Sequence, residues 1–293
     1  MAEFHQIAGY DVVATLGQGA ASTLYAVRDK KGEMFCLKRV VKNSPSEQRF
    51  LDQAICEYEV AQKVDSPLLR KVHRLIKHRA LIRTNEVLVL LEMVEGKTIE
   101  HVKLASILSF CKLFHAAATG IKMMHEAGYV HADIKPSNIM ITNEGKVKII
   151  DFGQSCKVNT VKQRIQGTPD YIAPEQVLRR PITFRTDSFN LGATMYWKLT
   201  GRHVPTLIPK KDTAISLRAE GHGEFVPPIE VNDEVPPALS NLVMECVQTE
   251  PKQRPANMDA IIDRLGIAAS QAQRAAAVGT PGSDAASEQR NAS

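Results

Sequence analysis

The chain has 293 residues, 44% of them hydrophobic and 24% charged, with a formal net charge of +5. That is room for one large domain or two lobes, each with its own core, in an ordinary globular composition. The charge is mild for this length. It suits an anionic ligand or partner without calling for nucleic acid, and a generally solvated basic surface accounts for it as well.

Five cysteines (Cys36, Cys56, Cys111, Cys156 and Cys246) make an odd number with no CxxC pair. This argues against a disulfide framework or a zinc knuckle and for a reducing compartment, with inert thiols throughout, Cys156 included. The opening MAEFHQIAGYDVV has no basic segment before an apolar run, so no signal peptide is expected. No stretch approaches the length of a spanning helix. The expectation is a soluble, cytoplasmic protein without a membrane span.

Along the chain, YDVVATLG, STLYAVRD and EMFCLKRVV are short runs of β-branched and aromatic residues separated by turn signals, and they predict strands. RDKKGE is the hairpin loop between the second and third. Residues 47–63 change period: Phe50, Ala54, Ile55, Tyr58 and Ala61 recur at helical spacing up to the break at Pro67. Two further strands follow, KVHRLIKHR and EVLVLLEMV. The rest reads as helical. Residues 104–127 carry Leu104, Ile107, Leu108, Cys111, Phe114, Ala118, Ile121 and Met124 on one face, with Gly128 as the stop. More helices are expected near 187–200, 237–248 and 256–265. Residues 269–293 are small and polar without an apolar pattern, which predicts a disordered tail. Strands first and helices after suggest an α+β protein of two lobes joined at EMVEGK, with a ligand cleft between them.

Several polar residues sit where bare packing does not want them. Gly17 and Gly19 in LGQGAASTLY lie in a turn between strands. They let backbone amides approach a phosphate, but taken alone the motif favours a plain hairpin with two turn glycines. The loop lacks the Gly-Lys-Ser/Thr of a Walker A motif and does not open a helix. Lys38 on an apolar strand wants an anion, and Glu57 on the following helix supplies one; an edge lysine with its head in water is the alternative. In HADIKPSNIM, Asp133, Lys135 and Asn138 cluster, and Asp151 ends the next strand in DFG. Two carboxylates and an amide are hard oxygen donors that suit Mg²⁺ rather than zinc.

Taken in order, these signatures resemble the eukaryotic-type serine/threonine protein kinase family over roughly residues 10–268. The series continues with GTPDYIAPE at 167–175, Asp187 in DSFNLG and Arg254 in PKQRP. The resemblance implies a bilobal fold: a small β-rich lobe with one main helix over 1–93, a larger helical lobe over 94–268, and the tail at 269–293. It implies ATP between the lobes, its adenine on the backbone of Glu92, Met93 and Val94, with Leu91 as gatekeeper. Leu16, Leu24, Cys36 and Met140 or a neighbour would wall the ring, and Gly17 and Gly19 would lie over the phosphates. Lys38, fixed by Glu57, would contact the α and β phosphates. Asn138 and Asp151 would hold Mg²⁺, Asp133 would be the catalytic base, and Lys135 would steady the γ-phosphate. Lys135 and GTPDYIAPE resemble the serine/threonine version of the motifs, so the substrates implied are protein hydroxyls. Thr168 would bridge Asp133 and Lys135, Glu175 would pair with Arg254, and Asp187 would brace the catalytic loop.

Two departures stand out. Ser22 replaces the third loop glycine and Leu24 the valine after it. HAD replaces HRD, so Ala132 removes the arginine that in other members receives an activation-loop phosphate. The expectation is an enzyme that does not depend on phosphorylation at Thr160 or Ser155. His131 is expected to pack beneath the DFG turn rather than to move protons. The basic residues Arg70, Lys71, Arg74, Lys77, Arg79 and Arg83 read as a solvated strand edge. Two rivals remain: a nucleotide-binding pseudokinase or scaffold, and a small-molecule kinase of the aminoglycoside or choline type, which usually lacks the APE segment.

Overall fold

Strict alternation of side chains in the first half of the chain decides which faces of its sheet are buried. The computed structural model describes residues 5–80, 83–208 and 225–278. Strands β1 (Gln6–Ile7), β2 (Tyr10–Gln18), β3 (Ser22–Arg28), β4 (Met34–Val41), β5 (Val72–Ala80) and β6 (Arg83–Glu92) form one antiparallel sheet in the order β1-β2-β3-β4-β6-β5. Helix α1 (Gln48–Ala61) sits between β4 and β5 in sequence. Because a strand turns successive side chains to opposite faces, Cys36, Val40, Val87, Val89 and Leu91 pack toward Leu51 and Ala54 of α1. Leu37, Leu88 and Leu90 go to the other face with Ile7, Val27 and Phe35. Lys38 is in step with Cys36 and Val40, so β4 aims it toward α1.

The remaining elements are β7 (Gly96–Thr98), α2 (Ile107–Glu126), β8 (Tyr129–Val130), β9 (Ile139–Thr142), β10 (Val147–Ile149), β11 (Cys156–Lys157), α3 (Pro174–Val177), α4 (Phe184–Thr200), α5 (Pro228–Val231), α6 (Pro237–Cys246) and α7 (Met258–Val278). Ser106 caps α2 by accepting a hydrogen bond from the Ser109 N–H at 3.2 Å. Gly201, at φ 70°, closes α4 with its N–H on the Trp197 carbonyl, a left-handed stop that favours glycine. Phe110, Phe114, Ile121 and Met124 of α2 meet Leu191 and Met195 of α4, Leu239 of α6 and Leu265 of α7 in one core. A small sheet in the order β10-β9-β7, and the pair β11-β8, carry the loops between these helices and the larger sheet.

One expected boundary moves. Helix α7 runs to Val278 and so takes in the first ten residues of the predicted disordered tail, 269–278. The segment AASQAQRAAAV has no apolar stripe, but alanine is the strongest helix former and the helix is already nucleated by the packed turns of Ile261 and Leu265. Residues 279–293 lie outside the described residues. Among the described residues, no helix is long and apolar enough to cross a membrane.

Candidate active site

Lys38 donates to Glu57 Oε2 at 2.7 Å and lies 3.5 Å from Asp151 Oδ1. Glu57 is buried at 2% exposure on the face of α1 that carries Leu51 and Ala54, so an unpaired carboxylate there would be costly. Burial works against the Lys38 ammonium, but Asp151 and then Glu57 outweigh it and hold its pKa above the ordinary lysine range. In turn Lys38 draws Asp151 below the ordinary carboxylate range against the opposing effect of burial, helped by the Gly153 N–H at 3.3 Å. Lys38 and Asp151 are therefore ionised at neutral pH. Asp151 takes φ 64°, a left-handed conformation uncommon for a residue with a side chain.

The segment 131–138 is held from beneath. Asp187, fully buried on α4, accepts hydrogen bonds from the His131 and Ala132 N–H groups and pairs with His125 Nε2, each at 2.8 Å. Ala132 takes φ 61°, which costs an L-residue about 1–2 kcal/mol. The charge-assisted bonds to Asp187, and the bond from Gln176 Nε2 to the Ala132 carbonyl at 2.8 Å, offset it. With the loop so fixed, Asp133 meets Lys135 Nζ at 3.0 Å and accepts from Thr168 Oγ1 at 2.9 Å, while Lys135 donates to Thr168 at 2.8 Å. Asn138 Nδ2 donates to the Asp133 carbonyl at 2.9 Å. The His131 ring meets Phe152 edge-on at 5.8 Å. Farther down, Glu175 and Arg254 form a buried bidentate pair at 2.7 and 2.9 Å.

These groups face a cleft of about 400 Å³ lined by Ala20, Ser22, Lys38, Asp133, Lys135 and Asp151 among others. The glycine-rich turn forms its roof. Gly19 donates to the Ser22 carbonyl at 2.7 Å, and a Cβ on Gly19 would come within 3.0 Å of Ser22 Oγ. Gly17 pairs with Leu24 across β2 and β3, and Leu24 in turn with Lys38 across β3 and β4. Asp151 lines the cleft and Asn138 lies buried against Asp133, and their side-chain oxygens are a donor set that fits Mg²⁺: hard, one of them anionic, and too few to complete six-fold coordination without phosphate or water. Among the described residues no group of three or more His, Cys, Asp or Glu could hold a metal on its own.

Of the residues expected to wall the base, Cys36 and Leu91 pair across β4 and β6 and are buried, Met140 is half-buried, and Leu16 is 48% exposed. Glu92 is heavily engaged: its N–H donates to the Lys71 carbonyl, its carboxylate accepts from Lys71 N–H and binds Lys148 Nζ, and its carbonyl accepts from Arg70 Nε at 3.0 Å. Among the described residues the backbones of Met93 and Val94 make no hydrogen bond. Arg70 thus departs from the basic run in which it was read. Lys71, Arg74, Lys77 and Arg79 are exposed beside or on edge strand β5, as expected, but Arg70 is half-buried and turned to the hinge. Phe50 and Gln53 of α1, and Gln154, also line the cleft, and no local signal marked them.

Ala132 packs with Val130 and Ile182 in an apolar cluster joined by Cys156, Val158 and Phe184. All five cysteines are free. Cys56 donates to the Ser155 carbonyl at 3.3 Å and burial pushes its thiol up to about 11; burial raises Cys156 as well. Both are protonated and unreactive at neutral pH.

Residues 10–264 match the protein kinase domain family. The chain is 33% identical over 186 residues to a probable serine/threonine-protein kinase of Clostridium acetobutylicum, covering 60% of this chain and 28% of that protein. It is 25% identical over 265 residues to a probable serine/threonine-protein kinase of Clostridium perfringens, covering 84% and 36%. It is 35% identical over 161 residues to the tyrosine-protein kinase MasK of Myxococcus xanthus, covering 51% and 24%. The chain therefore spans well under half the length of each of these relatives. With its β-rich first part, its helical second part and an ordered series of motifs facing the cleft between them, the chain belongs to the protein kinase family.

Proposed function

We propose that this chain transfers the γ-phosphoryl group of ATP to serine and threonine hydroxyls of proteins, with Mg²⁺. The single observation that carries the proposal is the convergence of Lys38, Asp133, Lys135 and Asp151 on one cleft. Phosphoryl transfer asks for positioning and charge neutralisation more than for covalent chemistry. Lys38, held by Glu57, binds the α and β phosphates. Asp133 orients the acceptor hydroxyl and takes its proton. Lys135, tied to Thr168, stands beside Asp133 and meets charge that develops on the transferred group. Asp151 and Asn138 would hold Mg²⁺, which when bound neutralises phosphate charge. Glu92, Met93 and Val94 receive the base, and the lobes divide at about Val94. Protein acceptors and a cytoplasmic location belong to this reading, supported by the serine/threonine relatives and the reduced cysteines.

The same reading holds that no activation-loop phosphate is needed. Ser155 is buried and donates to the His131 carbonyl, and the Thr160 hydroxyl already donates to the Lys157 carbonyl at 2.6 Å. Apolar contacts around Ala132 supply the anchorage that a phosphate and an arginine would otherwise give.

Purified protein, incubated with Mg²⁺ and labelled ATP beside generic protein acceptors and small alcohols, tests the proposal. Label appears on serine or threonine and falls about 10²–10⁴-fold in Asp133→Asn, with nucleotide binding retained. Label on the alcohols alone would support a small-molecule kinase; binding without transfer would support a pseudokinase.

A further inference from the structure

Arg70 is half-buried and turned to the hinge, unlike the exposed basic residues that follow it. Its root is pinned where the Arg70 N–H donates to the Ile149 carbonyl at 2.9 Å, two residues before Asp151. Its side chain then reaches the hinge, where Nε donates to the Glu92 carbonyl at 3.0 Å. Its positive charge is felt at Lys38, where it opposes protonation. The two hydrogen bonds tie the root of Arg70 to the strand that leads into Asp151 and set its Nε at the hinge carbonyl. Its neighbours in sequence, Lys71 and Arg74, stay exposed.

We propose that Arg70 selects the nucleotide base, weakening the preference for a 6-aminopurine so that 6-oxopurine triphosphates serve as phosphoryl donors alongside ATP. The proposal rests on the kinase reading above and names the donor class for that same site. The argument is one of donors and acceptors. A 6-amino group needs an acceptor, and the Glu92 carbonyl already receives an N–H from a cation. That carbonyl has a second lone pair, so adenine is not excluded. The guanidinium, however, carries four further N–H donors and no acceptor, and among the described residues they make no other hydrogen bond. An amino group approaching them sets donor against donor. A 6-oxopurine presents O6 and N7, both acceptors, the edge that arginine reads bidentately in nucleic acids. The Met93 and Val94 backbones supply unpaired N–H and C=O groups to receive either base's remaining edge.

The test compares MgATP with MgITP, which differs at position 6 and lacks the 2-amino group of guanine. Equilibrium binding and kcat/KM are measured for the wild type, Arg70→Val and Arg70→Gln, with melting temperatures to establish that each variant is folded. The wild type is expected to use the two nucleotides within about tenfold of each other. Arg70→Val is expected to shift the ATP-to-ITP ratio at least tenfold toward ATP, and Arg70→Gln, which keeps an amide NH2 with two donors and adds an acceptor, by less. A wild type that rejects ITP by more than a hundredfold overturns the proposal. So does a base ratio that neither variant changes. Both results would leave ATP-dependent transfer intact, whereas failure of the wild type to bind or use any nucleotide would sink the kinase reading together with this one.

Discussion

The two flanks of the catalytic loop are held by opposite chemistry. Below it, Asp187 and the Glu175–Arg254 pair fix backbone and helix with buried ionic hydrogen bonds. Beside it, where the Ala132 side chain meets the activation segment, the side-chain packing is apolar: Val130, Ala132 and Ile182, with Val158 and Phe184. The ionic flank is rigid because leaving any one of its members unpaired in the interior is expensive. The apolar flank forms with the fold itself and waits for no added charge. The difference teaches why this loop can be set without a phosphate.

Breaking the ionic flank is expected to cost most. Arg254→Ala strands Glu175 in the interior and should lower stability by about 3–5 kcal/mol, read from urea denaturation. Removing bulk from the apolar flank costs less: Ile182→Ala leaves a cavity beside Ala132 worth about 2–3 kcal/mol in the same experiment. Its turnover falls as well, because the segment loses its anchor. Restoring the missing arginine sharpens the comparison further. Ala132→Arg forces a long cation into the apolar cluster and should destabilise by about 1–3 kcal/mol, with faster amide exchange over 156–160. Smallest of all, Thr160→Ala loses one partly exposed hydrogen bond, about 1 kcal/mol or less, and leaves initial rates within about twofold. If Thr160→Ala abolished activity while Ile182→Ala did not, the assignment of roles to the two flanks would be reversed.

Much of this arrangement was legible in the chain. Lys38 on an apolar strand called for an anion, and Glu57 on the following helix was the one expected to supply it; the two meet at 2.7 Å. The motif series located Asp133, Asn138 and Asp151 before any geometry was known. What stayed hidden depends on tertiary contact. Ala132 is packed by residues from β11, the following loop and the start of α4, which no local pattern joins. Arg70 sits among exposed basic residues, and only its hydrogen bond to the hinge separates it from them. Strands β7 to β11, of two to four residues each, are too short for any period to register. The last turns of α7 escaped because alanine propensity, rather than an apolar stripe, extends them.

The most direct measurement is the initial rate of phosphoryl transfer by protein stripped with a phosphatase, alongside Asp133→Asn, with phosphosites mapped by mass spectrometry during the first turnovers. The account predicts full activity from the stripped wild type, no phosphate on Ser155 or Thr160, and transfer reduced about 10²–10⁴-fold in the variant. A lag that ends only when the activation segment becomes phosphorylated, or equal rates from both proteins, would contradict it.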